Sequence, residues 1–233
     1  MRQPPISFRV VPQVHGSCLS ATRRLEHAAV SEFTAIGDNP AFIADERSPT
    51  YGRLVHSGNF HCAELTAAVE GAALAEAQVA LLSERRLHRL LDSGFSGLSH
   101  QLARRPGLDA GLVILQKAVL GLTAKLRSLS IPPSLQHGES SFGQEDVMTM
   151  VFPALERLAE IGRLTRLATI YELYAALVAI DERGAKPGKG VAAILARVRE
   201  EIPAYGGDRP YGADIERLAA LIDLGALPLP EFA

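Results

Sequence analysis

The sequence predicts an all-α protein built on long helices, and three observations predict it. Leu and Ala dominate a composition that is 47% hydrophobic. Apolar residues recur at helical spacing over stretches too long for strands. Strand formers in alternating runs are scarce.

Residues 1–11 hold Pro4 and Pro5 and read as an extended entry. A helix is expected from near Pro12 to about Ala35, closed by the turn formers Gly37-Asp38-Asn39-Pro40. Residues 41–57 carry two short apolar runs around Ser48-Pro49-Thr50-Tyr51-Gly52, the pattern of a small hairpin. A long Ala/Leu helix follows over 61–91, and residues 92–106 form a Ser/Gly/Pro/Arg connection. A third helix covers 108–129. Residues 130–143, "SIPPSLQHGESSFG", form a polar loop of unusual length, and loops of this size are commonly functional or disordered. A fourth long helix is expected over 144–181, with Val147, Val151, Ala154, Leu158 and Ile161 at the spacing of a helix seam. A Gly/Lys linker at 184–190 leads to short helices near 191–201 and 213–224. The domain expectation is a long-helix core with its hairpin over 1–183 and a linker with a small helical tail over 184–233.

The charges nearly cancel, 24 Lys+Arg against 26 Asp+Glu, so no basic face points to nucleic acid. The charge-poor stretches read as too short or too interrupted to span a bilayer. Residues 1–10 lack the apolar core of a secretory signal. Cys18 and Cys62 are too few for a disulfide framework or a structural zinc site, and a reduced cytoplasm is the expected location. Helices this long leave apolar surface uncovered in so short a chain. That predicts an oligomer, with two-fold symmetry and a hetero-partner.

None of the 7 histidines stands at a metal-ligand spacing from Cys or a carboxylate, so no metal is expected. "DSGFSGLSH" has no strand before it to make a nucleophile elbow. Tyr205-Gly206-Gly207 lacks the strand–loop–helix setting of a phosphate site. Three loop features remain: Ser7-Phe8-Arg9 before a helix, Gly58-Asn59-Phe60-His61, and Gln144-Glu145-Asp146. Each has an ordinary explanation, namely a solvated Arg9, a core plug at Phe60, and favourable carboxylates in a helix's first turn at 145–146. Together, and in this order, they are less ordinary.

That order resembles the histidine and phenylalanine ammonia-lyase family, whose members use a methylideneimidazolone (MIO) electrophile. "QPPISFRVVPQVHG" (3–16) resembles the family's Gln-Asp-x-Tyr-Ser-Leu-Arg-x-x-Pro-Gln segment. "GDNP" (37–40), "SGNFHC" (57–62), "LSERR" (82–86), "SIPPS…GQEDVMTM" (130–150) and "DRPYGADI" (208–215) are similar to family segments in the same order. The resemblance implies a long-helix bundle like the C-terminal half of the histidine ammonia-lyase fold. It implies that Arg9 pairs with a substrate carboxylate through a guanidinium fork, and that Phe60 follows a loop entering an amino-acid pocket. Asn59 and His61 hold that loop. Gln144 and Glu145 fall where the family contacts the electrophile side of the site and the departing amine.

The departures are specific. No Ala-Ser-Gly, the precursor of MIO, occurs in the chain, and the family's N-terminal tyrosine loop is absent. Ile6 stands where the family has a pocket tyrosine, and isoleucine can neither donate a hydrogen bond nor carry a proton. Cys62 replaces a glycine, and the 130–143 loop is longer than the family's. The expectation is the C-terminal subunit of a split MIO-type ammonia-lyase or aminomutase, inactive alone. A partner chain would bring MIO, and the substrate would be an aromatic or related amino acid. Met1 just before the Arg9 segment fits a gene start there, although a proteolytic fragment would look the same. The alternative is a scaffold or interaction subunit that kept the fold and lost the chemistry.

Overall fold

The computed structural model describes residues 3–184 and 186–229. Among them are eight α-helices and one two-stranded antiparallel hairpin, so the chain is all-α as its composition predicts. The helices are α1 (Ile6–Arg9), α2 (Val11–Thr34), α3 (Ala63–Leu91), α4 (Ser93–Ser96), α5 (Val113–Ser128), α6 (Val151–Arg183), α7 (Lys189–Glu201) and α8 (Tyr211–Asp223). The hairpin pairs β1 (Ala41–Phe42) with β2 (Leu54–Val55), Ala41 opposite Val55 and Phe42 opposite Leu54.

Four of the departures from the expected boundaries have a clear local reason. The entry is not wholly extended. Behind Pro5 the chain makes the single turn α1, closed by Val10 N–H donating to Ile6 O at 3.0 Å. α3 starts two residues late because Cys62 sits in the left-handed region at φ 49°. α5 starts at Val113 because Gly111, at φ 64°, breaks the chain direction and sends Leu112 N–H to Gln101 O at 2.8 Å. α6 begins at Val151, not at 144. Pro153 is tolerable only in a first turn, where its missing N–H has no partner to lose; a helix from 144 would put its ring against the carbonyl of Thr149. Glu145 and Asp146 therefore are not first-turn carboxylates, and Val147 is an exposed loop residue and not part of a seam. Ala154 and Ile161 of that seam are buried.

The chain divides into two compact units. One contains the described residues up to Val11, Val79–Arg127, and the chain from Arg163 onward; the other contains Pro12–Gln78 and Ser128–Gly162. Both α3 and α6 contribute residues to each. The first unit has a core of large side chains: Leu87, Leu91, Leu102, Leu112, Leu164, Ile170, Tyr174, Ile202 and Leu218 are all 2% exposed or less. The second buries mainly small residues, including Ala21, Ala28, Ala72, Ala73, Ala75 and Ala154, with Val69, Val151 and Ile161. Its phenylalanines face outward: Phe33 is 91% exposed and Phe152 76%, and Phe42, Phe60 and Phe142 are exposed as well. A buried alanine removes far less apolar area from water than a leucine does.

The segment Asn59–Leu91 is long and apolar enough, by length and composition, to cross a membrane. This corrects the expectation that no charge-poor stretch is. The same composition serves a packed helix. α3 buries Val69, Ala73, Ala80 and Leu87, and its Glu84, 1% exposed, is held by Arg127 Nη2 at 3.2 Å.

Candidate functional site

The Phe60 loop is built by its neighbours in the second unit. The "GDNP" turn supplies Asn39, whose Oδ1 accepts the Ser57 N–H at 3.2 Å. Ser57 Oγ in turn accepts the Asn59 N–H at 3.4 Å. Asn59, Phe60 and His61 then form one 3-10 turn, with His61 N–H donating to Gly58 O at 3.0 Å. Cys62 ends the turn in a left-handed conformation that glycine adopts at lower cost, and its thiol donates to Phe60 O at 3.4 Å. Burial pushes the Cys62 thiol above its ordinary range, and the Glu32 carboxylate adds to the effect. The protonated thiol is thus not a ready nucleophile. Phe60 and Asn59 line an open cleft of about 390 Å³ with Glu32, Phe33, Gly37 and Leu65.

Gln144 and Glu145 lie in a closed turn of the same unit. Ser140 and Glu145 pair as an antiparallel bridge, and Ser140 Oγ donates to Glu145 Oε2 at 2.6 Å. The hydroxyls of Ser140 and Ser141 hold the Glu145 carboxyl below the usual carboxylate range. Both Gln144 and Glu145 are exposed. The loop is fastened on either side of this turn. Glu70 accepts Ser134 N–H at 2.9 Å and Ser134 Oγ at 2.7 Å, and Thr149 Oγ1 bonds Thr66 Oγ1 at 2.8 Å. Thr66 N–H also donates to Cys62 O at 3.0 Å, so one threonine ties the Gln144–Glu145 segment to the Phe60 turn.

Arg9 belongs to the other unit. It ends α1, is exposed, and donates from Nε to Pro4 O at 3.0 Å. Phe8 beside it stacks on Phe95, ring centroids 5.5 Å apart. Ile6 is 63% exposed and offers no polar group to the surface it shares with Arg9. The second unit thus contains Asn59, Phe60, Gln144 and Glu145, while Arg9 belongs to the first.

A sequence model of aromatic amino acid lyases matches residues 1–200. The chain belongs to the aromatic amino acid lyase family. It is 36% identical to the histidine ammonia-lyase of Stigmatella aurantiaca over 230 residues, 97% of this chain and 43% of that protein. Identity to the histidine ammonia-lyase of Myxococcus xanthus is 35% over 229 residues, 97% of this chain and 44% of that one. Ergothionase from Treponema denticola superposes with a TM-score of 0.88 at 27% identity, covering 99% of this chain and 46% of its own. Tyrosine aminomutase from Streptomyces globisporus gives 0.88 at 28% identity, covering 97% and 42%. The chain spans less than half the length of the curated relatives it matches.

In this lyase-family chain the "DRPYGADI" segment is a lock within the first unit, a role the sequence pattern did not reveal. Asp208 accepts Ala110 N–H at 2.6 Å, Gly111 N–H at 3.0 Å and Tyr211 O–H at 2.9 Å. Those donors hold its carboxyl below the usual range, the Ala110 N–H foremost. Arg209 donates to Asp214 Oδ2 at 2.8 Å and to Pro203 O at 2.7 Å. A cavity of about 660 Å³ beside this lock is lined chiefly by apolar residues of α5, α6 and α8, among them Ile114, Leu167 and Ile215. It contains none of the candidate site residues. Among the described residues no group of His, Cys, Asp and Glu could hold a metal. The side chains at 144–145 suit an MIO-type group: a neutral amide and an ionised carboxylate, both exposed, neither in an ion pair with a described cation.

Proposed function

We propose that this chain forms the C-terminal-half component of an MIO-type ammonia-lyase or aminomutase-like enzyme acting on an aromatic or related amino acid. A polypeptide outside these 233 residues, expected as a separate partner chain, supplies the Ala-Ser-Gly electrophile. One observation carries the reading. The unit that groups Asn59, Phe60, Gln144 and Glu145 also turns its phenylalanines outward, as a surface made to be covered does. Family membership and the alignment to under half of each relative support it. The assembly is an oligomer with two-fold symmetry.

When bound, the electrophile draws electrons from the substrate and so makes its C–N bond breakable. This chain's residues do the rest. Arg9 takes the substrate carboxylate through two parallel charge-assisted bonds, a job its planar fork suits better than a lysine. Phe60 offers an apolar ring to the substrate side chain. Glu145, ionised at neutral pH, attracts the departing ammonium, and Gln144 offers an amide beside it.

The test is Arg9→Ala in the complex with the Ala-Ser-Gly-bearing partner, with assembly checked by size-exclusion chromatography. A charge-assisted pair contributes roughly 1.5–3 kcal/mol, so substrate binding weakens about 10- to 150-fold while assembly persists. Arg9→Lys recovers part. Unchanged affinity in Arg9→Ala removes the substrate-site assignment. Turnover of phenylalanine, tyrosine or histidine by the single chain removes the need for a partner. One observation favours a second reading, a scaffold without chemistry: Ile6 at the family's tyrosine position. On that reading neither Arg9 change affects anything beyond local stability.

A further inference from the structure

The loop before Gln144 closes on itself. Ser140 N–H donates to Glu145 O at 2.9 Å, Glu145 N–H returns to Ser140 O at 3.3 Å, and Ser140 Oγ donates to Glu145 Oε2 at 2.6 Å. Inside this clasp, Ser141, Phe142 and Gly143 all have positive φ, 52°, 56° and 82°. Two of the three are not glycine, and L-residues rarely hold that conformation unless surrounding bonds over-determine it. Phe142 is left fully in solvent, so hydrophobic burial does not fold the turn. The clasp does. Glu145 is exposed as well, so packing does not choose its rotamer. A glutamate on a mobile loop samples many rotamers, and fixing one costs entropy that only the hydroxyls of Ser140 and Ser141 offset here.

We infer that Ser140 is a positioning residue for Glu145, its hydroxyl and backbone fixing the carboxylate in one orientation at the candidate site. The catalytic consequence rests on the lyase-like reading above; the clasp itself does not. Ser140 has an extended backbone, φ −141° and ψ −175°, which threonine adopts readily. Ser140→Thr therefore keeps the donor, and Ser140→Ala removes it alone.

The experiment is side-chain carbon NMR of Glu145 in the full chain, for wild type, Ser140→Ala and Ser140→Thr. Wild type and Ser140→Thr show one dominant Glu145 rotamer and a Glu145 carboxyl midpoint below that of Ser140→Ala. Ser140→Ala shows averaged Glu145 rotamers and a raised midpoint. Amide shifts outside 138–150 stay unchanged in both variants. If Glu145 averages its rotamers in the wild type, or if Ser140→Ala leaves both readouts unmoved, the inference is overturned. In the reconstituted complex, Ser140→Ala moves the acid limb of turnover to higher pH, in step with the NMR midpoint. A complex in which Glu145→Gln leaves turnover intact refutes the catalytic assignment of Glu145, whatever the clasp does.

Discussion

Tyr174→Phe removes one hydroxyl from the lock that joins the tail to α6, and with it a short bond to Asp214 and a long one from Arg209. Tyr174 is 2% exposed, and its hydroxyl donates to Asp214 Oδ2 at 2.8 Å. The same carboxylate oxygen accepts from Arg209 Nε at 2.8 Å, and Arg209 Nη2 donates to the Tyr174 hydroxyl at 3.4 Å. Phenylalanine keeps the ring and its packing, including the edge contact to Tyr211 at 6.2 Å. What is lost is a buried bond to a charged acceptor, about 1.5–3 kcal/mol. Asp214 keeps Arg209, so it is not orphaned, and the lower part of that range, about 1.5–2 kcal/mol, is expected. Asp214→Ala is worse. It leaves the buried Tyr174 hydroxyl without its acceptor and takes the carboxylate, though not the Pro203 and Ala204 carbonyls, from the largely covered Arg209 guanidinium, costing about 3 kcal/mol. The double variant falls short of the sum by at least about 1 kcal/mol, because both changes remove the same bond. Burial, then Asp214, raises the Tyr174 phenol pKa, so it remains a donor and the loss is constant from about pH 6 to 9. The assay is urea unfolding at one fixed protein concentration, read from midpoints at constant slope. A Tyr174→Phe loss below about 0.5 kcal/mol, or strict additivity in the double variant, refutes the reasoning.

Two other substitutions test backbone geometry. At Gly111 an added Cβ meets Gln101 O and the Ala103 backbone, at a φ of 64°, so Gly111→Ala costs about 3 kcal/mol or more and shows as a lowered urea midpoint. A near-neutral result there means the 101–112 crossing is not as tight as described. Cys62→Gly relieves a left-handed non-glycine residue and raises stability by about 1 kcal/mol in the same assay, while a clear loss shows that the thiol's contacts with Phe60 O and Glu32 outweigh the strain.

The sequence by itself determined that the chain is helical, roughly where the helices lie, and which family its segments resemble. Periodicity and turn residues act locally, over a few residues, so α2, α3, α7 and α8 fall within two residues of their expected ends. The 144–150 segment was misread because apolar spacing outweighed a single proline, although Pro153 held the signal for a later helix start. The segments around Asn59–Phe60 and Gln144–Glu145 were legible as motifs, but the bonds that hold each in place were not. The Thr66–Thr149 bond spans 83 positions, and the Ser140–Glu145 clasp depends on positive φ angles that no residue preference announces. The Asp208 and Arg209 lock was equally hidden, since its partners at 110–111 and 174 come from elements distant in the chain. Tertiary structure also decided which apolar residues become core. Helical spacing marks a face as apolar, but burial depends on what packs against it, and in the second unit alanines went inside while the phenylalanines stayed outside.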